Sequence, residues 1–267
     1  MNKLNFKIIS SLILLTFILS CSKVPITGRK QFNIIPDGQL YSMSFNQYDE
    51  FLKDAKKSSN KEQTDLVKKV GLKMKSAVEK FMAEKKLSSQ LKDYKWEFNL
   101  VEDKQANAWC MPGGKVVVYT GILPITKDEN GLAVVMGHEI AHAIAEHGAE
   151  RMSQSLVQQM GGVALNVALE SKSAQTKQLW NTVYGVGSQV GVMLPFSRTH
   201  ESEADQLGLI FMAIAGYNPN SAVDFWKRMS QNNSQSVPEI FSTHPSDNTR
   251  IEDIKKHLPE AMKYYKK

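Results

Sequence analysis

Leu66, Val70, Met74, Ala77 and Phe81 recur at intervals of four, four, three and four residues, which places them on one face of an amphipathic helix. From Trp96 the period drops to two: Trp96, Phe98 and Leu100 alternate with polar residues, as in a half-buried strand. Pro-Gly-Gly at 112–114 then precedes a run rich in branched residues at 115–123, a second strand. The two predict a small sheet. From Asn130 through His147 the pattern is helical again, with Asp128, Glu129 and Asn130 as capping side chains at its start. Residues 200–216 predict a helix closed by Gly216 and followed by Pro219, and residues 247–263 predict a last one. The expected fold class is α+β, mainly helical.

Residues 153–194 are apolar but broken by Gly161, Gly162, Gly185, Gly187 and Gly191. Gln154, Gln158, Asn166, Asn181 and Gln189 argue against a membrane hairpin and for buried or partly mobile soluble helices. Residues 1–20 read as a signal peptide: Lys3 and Lys7 precede an apolar run at 8–19 that is too short to span a bilayer comfortably, and Ser20 stands before Cys21. Residues 21–60 read as a tether and amino-terminal segment, extended over 22–38, with a polar break at 58–63 before the main domain at 61–267.

Ile18-Leu19-Ser20-Cys21 resembles a bacterial lipobox, which implies lipid on Cys21 and a membrane partner. With Cys21 so used, Cys110 has no partner for a disulfide. The formal charge of +6 falls to +4 once the two leader lysines are set aside, and it is spread along the chain without aromatic interleaving. No nucleic acid is expected as a partner.

Gly-His-Glu-Ile-Ala-His at 137–142 sets charged groups into an apolar helix. His138 and His142, four apart, leave the same face and can grip one ion, while Glu139 can reach a water on it. Two core histidines satisfied by carbonyls would also have to bury a carboxylate, at a cost of several kcal/mol. One Zn2+ per chain is the expected cofactor. A third ligand is needed. His147 lies roughly 140° around the helix from His142 and, without a sharp break, faces away. His-Glu-Ser-Glu-Ala-Asp at 200–205 is the better source: Glu201 and Asp205 share a face, so one can bind metal while the other orients a histidine, and Glu203 points roughly the opposite way. Small residues on both helices (Ala141, Ala145, Ala204 and Gly208) would let their backbones come close. Periodicity alone does not choose between Glu201 and Glu203.

The His-Glu-x-x-His run, followed some sixty residues later by Glu-x-x-Ala-Asp, resembles the gluzincin peptidases that include the CAAX prenyl proteases and the HtpX membrane protease. Pro-Ile-Thr-Gly-Arg-Lys-Gln at 25–31, Asn-Ala-Trp-Cys-Met-Pro-Gly-Gly at 107–114 and Ser-Thr-His-Pro-Ser-Asp-Asn-Thr-Arg-Ile at 242–251 extend the likeness, most narrowly to a periplasmic lipoprotein branch. The resemblance implies a zincin-type domain with a small sheet beside the active-site helix. It implies His138, His142 and Glu201 as zinc ligands, Glu139 as catalytic base, Asp205 and Arg250 as support, and His244 near the cleft as a catalytic group. Asn107, Gly113 and Gly114 would help hold an extended polypeptide substrate along an edge strand.

The expected function is a membrane-tethered zinc endopeptidase acting on misfolded or misassembled envelope proteins. The alternative is a chaperone-like binding module with latent or no protease activity. The expected location is a bacterial envelope, facing the periplasm, with the outer membrane favoured over the inner by Ser22 after Cys21.

Overall fold

The computed structural model describes residues 21–25, 27–189, 194–231 and 249–266. Residues 1–20, expected to form a signal peptide, and His244 lie outside these described residues.

The residues expected to form an extended tether instead begin with a two-stranded antiparallel hairpin, β1 (Cys21–Lys23) and β2 (Lys30–Phe32), turned by Gly28 at φ 65°. The helix α1 (Asp37–Asp54) follows, burying Leu40, Tyr41, Ser44 and Tyr48 at helical spacing. Next, α2 (Lys61–Glu84) is capped by Asn60, whose side chain accepts from the Gln63 amide, and buries Val70, Met74, Ala77 and Phe81.

Three strands form the main sheet: β3 (Glu97–Val101), β4 (Ala108–Met111) and β5 (Lys115–Tyr119), in the order β3-β5-β4. β3 runs parallel to β5 and β4 antiparallel to it, so β4 is an edge. Central β5 has Val116, Val117 and Val118 all fully buried, which is why its apolar run is continuous rather than alternating. One turn, α3 (Leu123–Thr126), leads to α4 (Glu129–Ile144), whose first amides are capped by Asp128.

Every residue of α4 from Gly131 to Ile144 is buried, as its apolar surround requires. It packs on α2, on β4 and most closely on α7 (Leu194–Ile214). At the crossing, a Cβ on Gly208 would lie 2.9 Å from the Gly137 carbonyl carbon and the His138 nitrogen, so the two backbones touch. α8 (Ser221–Gln231) and α9 (Arg250–Ala261) close the core beside α7 and α4.

The helix expected to run through His147 stops earlier. Ala145 caps α4, Glu146 takes a left-handed conformation at φ 55°, and α5 (His147–Ala168) starts in a new direction. α5 and α6 (Ala174–Ser188) form a hairpin whose distal part is exposed, where buried or partly mobile soluble helices were expected. Among the described residues, no helix is long and apolar enough to cross a membrane.

Candidate metal centre

α4 delivers His138, Glu139 and His142, and α7 delivers Glu201 across the glycine crossing. The Nε2 atoms of His138 and His142 are 3.1 Å apart, and each lies 3.3 Å from a different oxygen of Glu201. Ligand atoms 2.0–2.1 Å from a tetrahedral ion stand about 3.3–3.4 Å from one another. Two imidazole nitrogens and a carboxylate at that spacing fit zinc, and all three residues are buried. Glu139 is also buried, and its charge reaches the Cys110 thiol on β4, which burial and that charge raise well above its ordinary pKa.

Each histidine is oriented through its second nitrogen, by different means. The Nδ1 of His138 lies 2.9 Å from Asp205 Oδ1. Arg250 grips that carboxylate with two bonds, from Nε at 3.0 Å and from a terminal nitrogen at 2.8 Å. The guanidinium is itself fixed, stacked 3.6 Å above the Trp226 ring and 3.2 Å from Glu201. Burial works against the Asp205 charge, but Arg250 and His138 outweigh it and hold its pKa below the ordinary value. Burial and Arg250 press the His138 pKa down, yet Asp205 and Glu201 prevail and hold it at about 9. A proton must therefore leave His138 before its Nε2 can bind a cation.

His142 is oriented by His147. The break at Glu146 swings His147 back so that its Nδ1 stands 2.9 Å from Nδ1 of His142, while its Nε2 meets Glu203 at 3.1 Å. With Nε2 of His142 turned to the ion, its Nδ1–H donates to His147, whose Nε2–H donates to Glu203. That chain requires a neutral His147, and burial lowers its pKa to about 4 against the pull of Glu203.

Glu203 is held from the other side by the amino-terminal segment. Thr27 Oγ1 donates to it at 2.6 Å, and Arg29 spans it and Glu150, with contacts of 2.9 and 2.8 Å to the two carboxylates. His200 Nε2 adds a 2.9 Å contact to Glu150. Burial opposes both negative charges, but their hydrogen bonds, to His147 and Arg29 for Glu203 and to His200 and Arg29 for Glu150, bring each pKa down to about 2.

The structure thus brings His138, Glu139, His142, Glu201, Asp205 and Arg250 together. Asn107 and the two glycines flank the two ends of edge strand β4. Asn107 caps the start of β4, its side chain accepting from the Ala108 amide. Gly113 and Gly114 make the β4–β5 turn at φ 86° and 85°, under the rings of Phe45 and Trp96. A cleft beside His142 is lined instead by Tyr41, Cys110, Pro112 and Arg151. Sequence reasoning missed His147, Glu203, Arg29, Glu150 and His200. The acid pair Glu201 and Glu203 on one apolar helix carried the available signal, since Glu203 needed a buried partner as much as Glu201 did.

Residues 71–258 match the profile described as Peptidase family M48. The chain belongs to that family. It is 39% identical over 176 residues to the mitochondrial metalloendopeptidase OMA1 of Schizosaccharomyces pombe, covering 65% of this chain and 50% of the relative. With the protein of the same name from Saccharomyces cerevisiae it shares 36% over 186 residues, 67% of this chain and 51% of the relative. The β-barrel assembly-enhancing protease of Escherichia coli is 29% identical over 169 residues, 60% of this chain and 34% of the relative. The chain spans about half the length of the first two relatives and a third of the last. As an M48 chain it takes zinc as its metal. The expected location in a bacterial envelope, outer membrane over inner, is corrected by these matches: the relatives at 36 and 39% identity are mitochondrial proteases.

Proposed function

We propose that the protein is a zinc endopeptidase in which His138, His142 and Glu201 hold the metal and Glu139 is the catalytic base. The observation that carries the reading is the triangle of donors at zinc spacing with a buried glutamate next in sequence to one of them. Zinc, when bound, supplies a water of lowered pKa and a Lewis acid for the scissile carbonyl. Glu139 accepts the proton of the attacking water and returns it to the leaving nitrogen. Asp205, held by Arg250, and His147, held by Glu203, keep the two imidazoles in the tautomer and orientation that this requires.

The substrate is a polypeptide lying beside edge strand β4, where the cleft by His142 opens. Unfolded or misassembled proteins suit a site that reads backbone, and the name of the Escherichia coli relative, a β-barrel assembly-enhancing protease, favours a role in protein assembly. Attachment to a membrane through lipid on Cys21 is part of the same proposal, as is the assignment of His244 to the cleft.

Zinc content and cleavage of an unfolded protein, measured on the full chain beside its Glu139→Gln variant, test the reading. One zinc in both with cleavage only in the parent is the expected result. Zinc in both with cleavage in neither would replace it with a non-catalytic binding module.

A further inference from the structure

The α5–α6 hairpin is built inside out. Where its helices meet, the contacts are polar: Gln158 Nε2 donates to Ser188 Oγ at 2.6 Å, Asn181 Nδ2 to Asn166 Oδ1 at 2.8 Å, and Tyr184 Oη to the Gln158 carbonyl at 2.8 Å. Gly161 makes room for Tyr184, whose hydroxyl would lie 2.1 Å from any Cβ there. The apolar residues point away. Met160, Val163 and Val167 recur on the side of α5 turned roughly opposite Gln158, and Leu179, Val183 and Val186 do the same on α6 opposite Asn181. Val163 is 64% exposed and Val183 51%. In water this arrangement is backwards, whereas in lipid it is the expected one: small and polar side chains join the helices and apolar ones face outward.

Three further observations name lipid as the occupant. Residues 152–169 and 178–197 contain no charged residue, and Arg151, Glu170, Lys177 and Arg198 bound the two stretches. Seventeen residues of the first stretch lie in α5 and rise about 26 Å, a length that fits within the roughly 30 Å of a bilayer's hydrocarbon layer, although neither helix is apolar enough to cross it alone. The amino-terminal segment that follows Cys21 also lies at the base of this hairpin: β2 packs on α5, where the Phe32 amide donates to Glu150 and the Ile34 amide to Ser153. Three of the polar residues that argue for soluble helices in sequence, Gln158, Asn166 and Asn181, are groups that join the pair.

We propose that the α5–α6 hairpin is a lipid-embedded element. Its two outer stripes lie among acyl chains as a hydrogen-bonded pair, with the flanking charges at headgroup level, in addition to any attachment at Cys21. The inference is independent of the peptidase reading, and its test needs no activity.

Trp180, on the outer side of α6 and 50% exposed, is the probe. The full chain is reconstituted into phosphatidylcholine and phosphatidylglycerol vesicles whose acyl chains carry bromine, and tryptophan quenching is compared with that of Trp180→Phe. The quenched share of the emission is expected to vanish in the variant, since Trp96, Trp109 and Trp226 belong to the folded core and its sheet. In a Val163→Asp/Val183→Asp chain the Trp180 emission is expected to move to the red and lose its quenching, with zinc content unchanged. Equal quenching with and without Trp180 overturns the proposal. So does an unquenched Trp180 together with a Val163→Cys disulfide between copies, which would assign the stripes to a protein interface.

Discussion

α5 passes through two opposite environments within one helix. At its start His147, Glu150 and Ser153 are almost fully buried among other polar groups, and toward its end Met160, Val163 and Val167 stand in the open. The first half violates the usual rule by hiding charge, the second by showing hydrocarbon. At the start the charged groups are partnered: Arg29 lies between two glutamates, and His147 between His142 and Glu203. At the far end polar side chains join the two helices, and the outside is left to its surroundings. Polar burial here is held by geometry, while apolar exposure is held by whatever solvent the hairpin meets.

Substitutions should separate the two regimes. Glu139→Gln at the metal centre is expected to lower cleavage of an unfolded substrate by about 100- to 10,000-fold with zinc retained, read from initial rates and metal analysis. Arg29→Met leaves Glu150 and Glu203 facing each other without their shared cation. It should cost about 3 kcal/mol of stability in a urea titration and disturb the His142 orientation through His147. Acid loads the same cluster more gently. The pKa values of Glu150 and Glu203 are depressed from 4.5 to about 2, so their stabilisation is complete above 4.5 and is lost as pH falls toward 2. His147, depressed from 6.5 to about 4, adds a loss of the same sign between those values. Thermal melts from pH 7 to pH 3 should decline through both windows in the parent and lose most of the lower one in a Glu150→Gln/Glu203→Gln chain. Val163→Ser in the distal hairpin should change stability in water by less than about 0.5 kcal/mol. A loss of 2 kcal/mol there would show that the outer stripe is covered by protein.

The metal face of α4 was legible because four-residue spacing is a property of any helix, and so was Asp205, one turn from Glu201. The route to His142 was not. It depends on Glu146 adopting φ 55°, a conformation that no local residue preference announces, and on that turn reversing the direction in which His147 points. Arg29 was visible only as part of a resemblance, since its partners lie 121 and 174 residues away. α1 escaped because Tyr41, Ser44 and Tyr48 make a mixed face rather than an apolar one. The facing of the hairpin was hidden for a related reason: sequence shows that glutamine and asparagine are present but not which way they turn.

The contact between Gly137 and Gly208 makes the metal centre a caliper. Two jaws, one carrying both histidines and the other Glu201, are set by a gap with no side chain in it. Glu201 stands seven residues from the pivot, about 10 Å along its helix, so a small change at the pivot is magnified at the tip. A methyl group added at either glycine acts as a shim, and the tip registers it as a missing ligand while both helices keep their sequence, their caps and most of their packing.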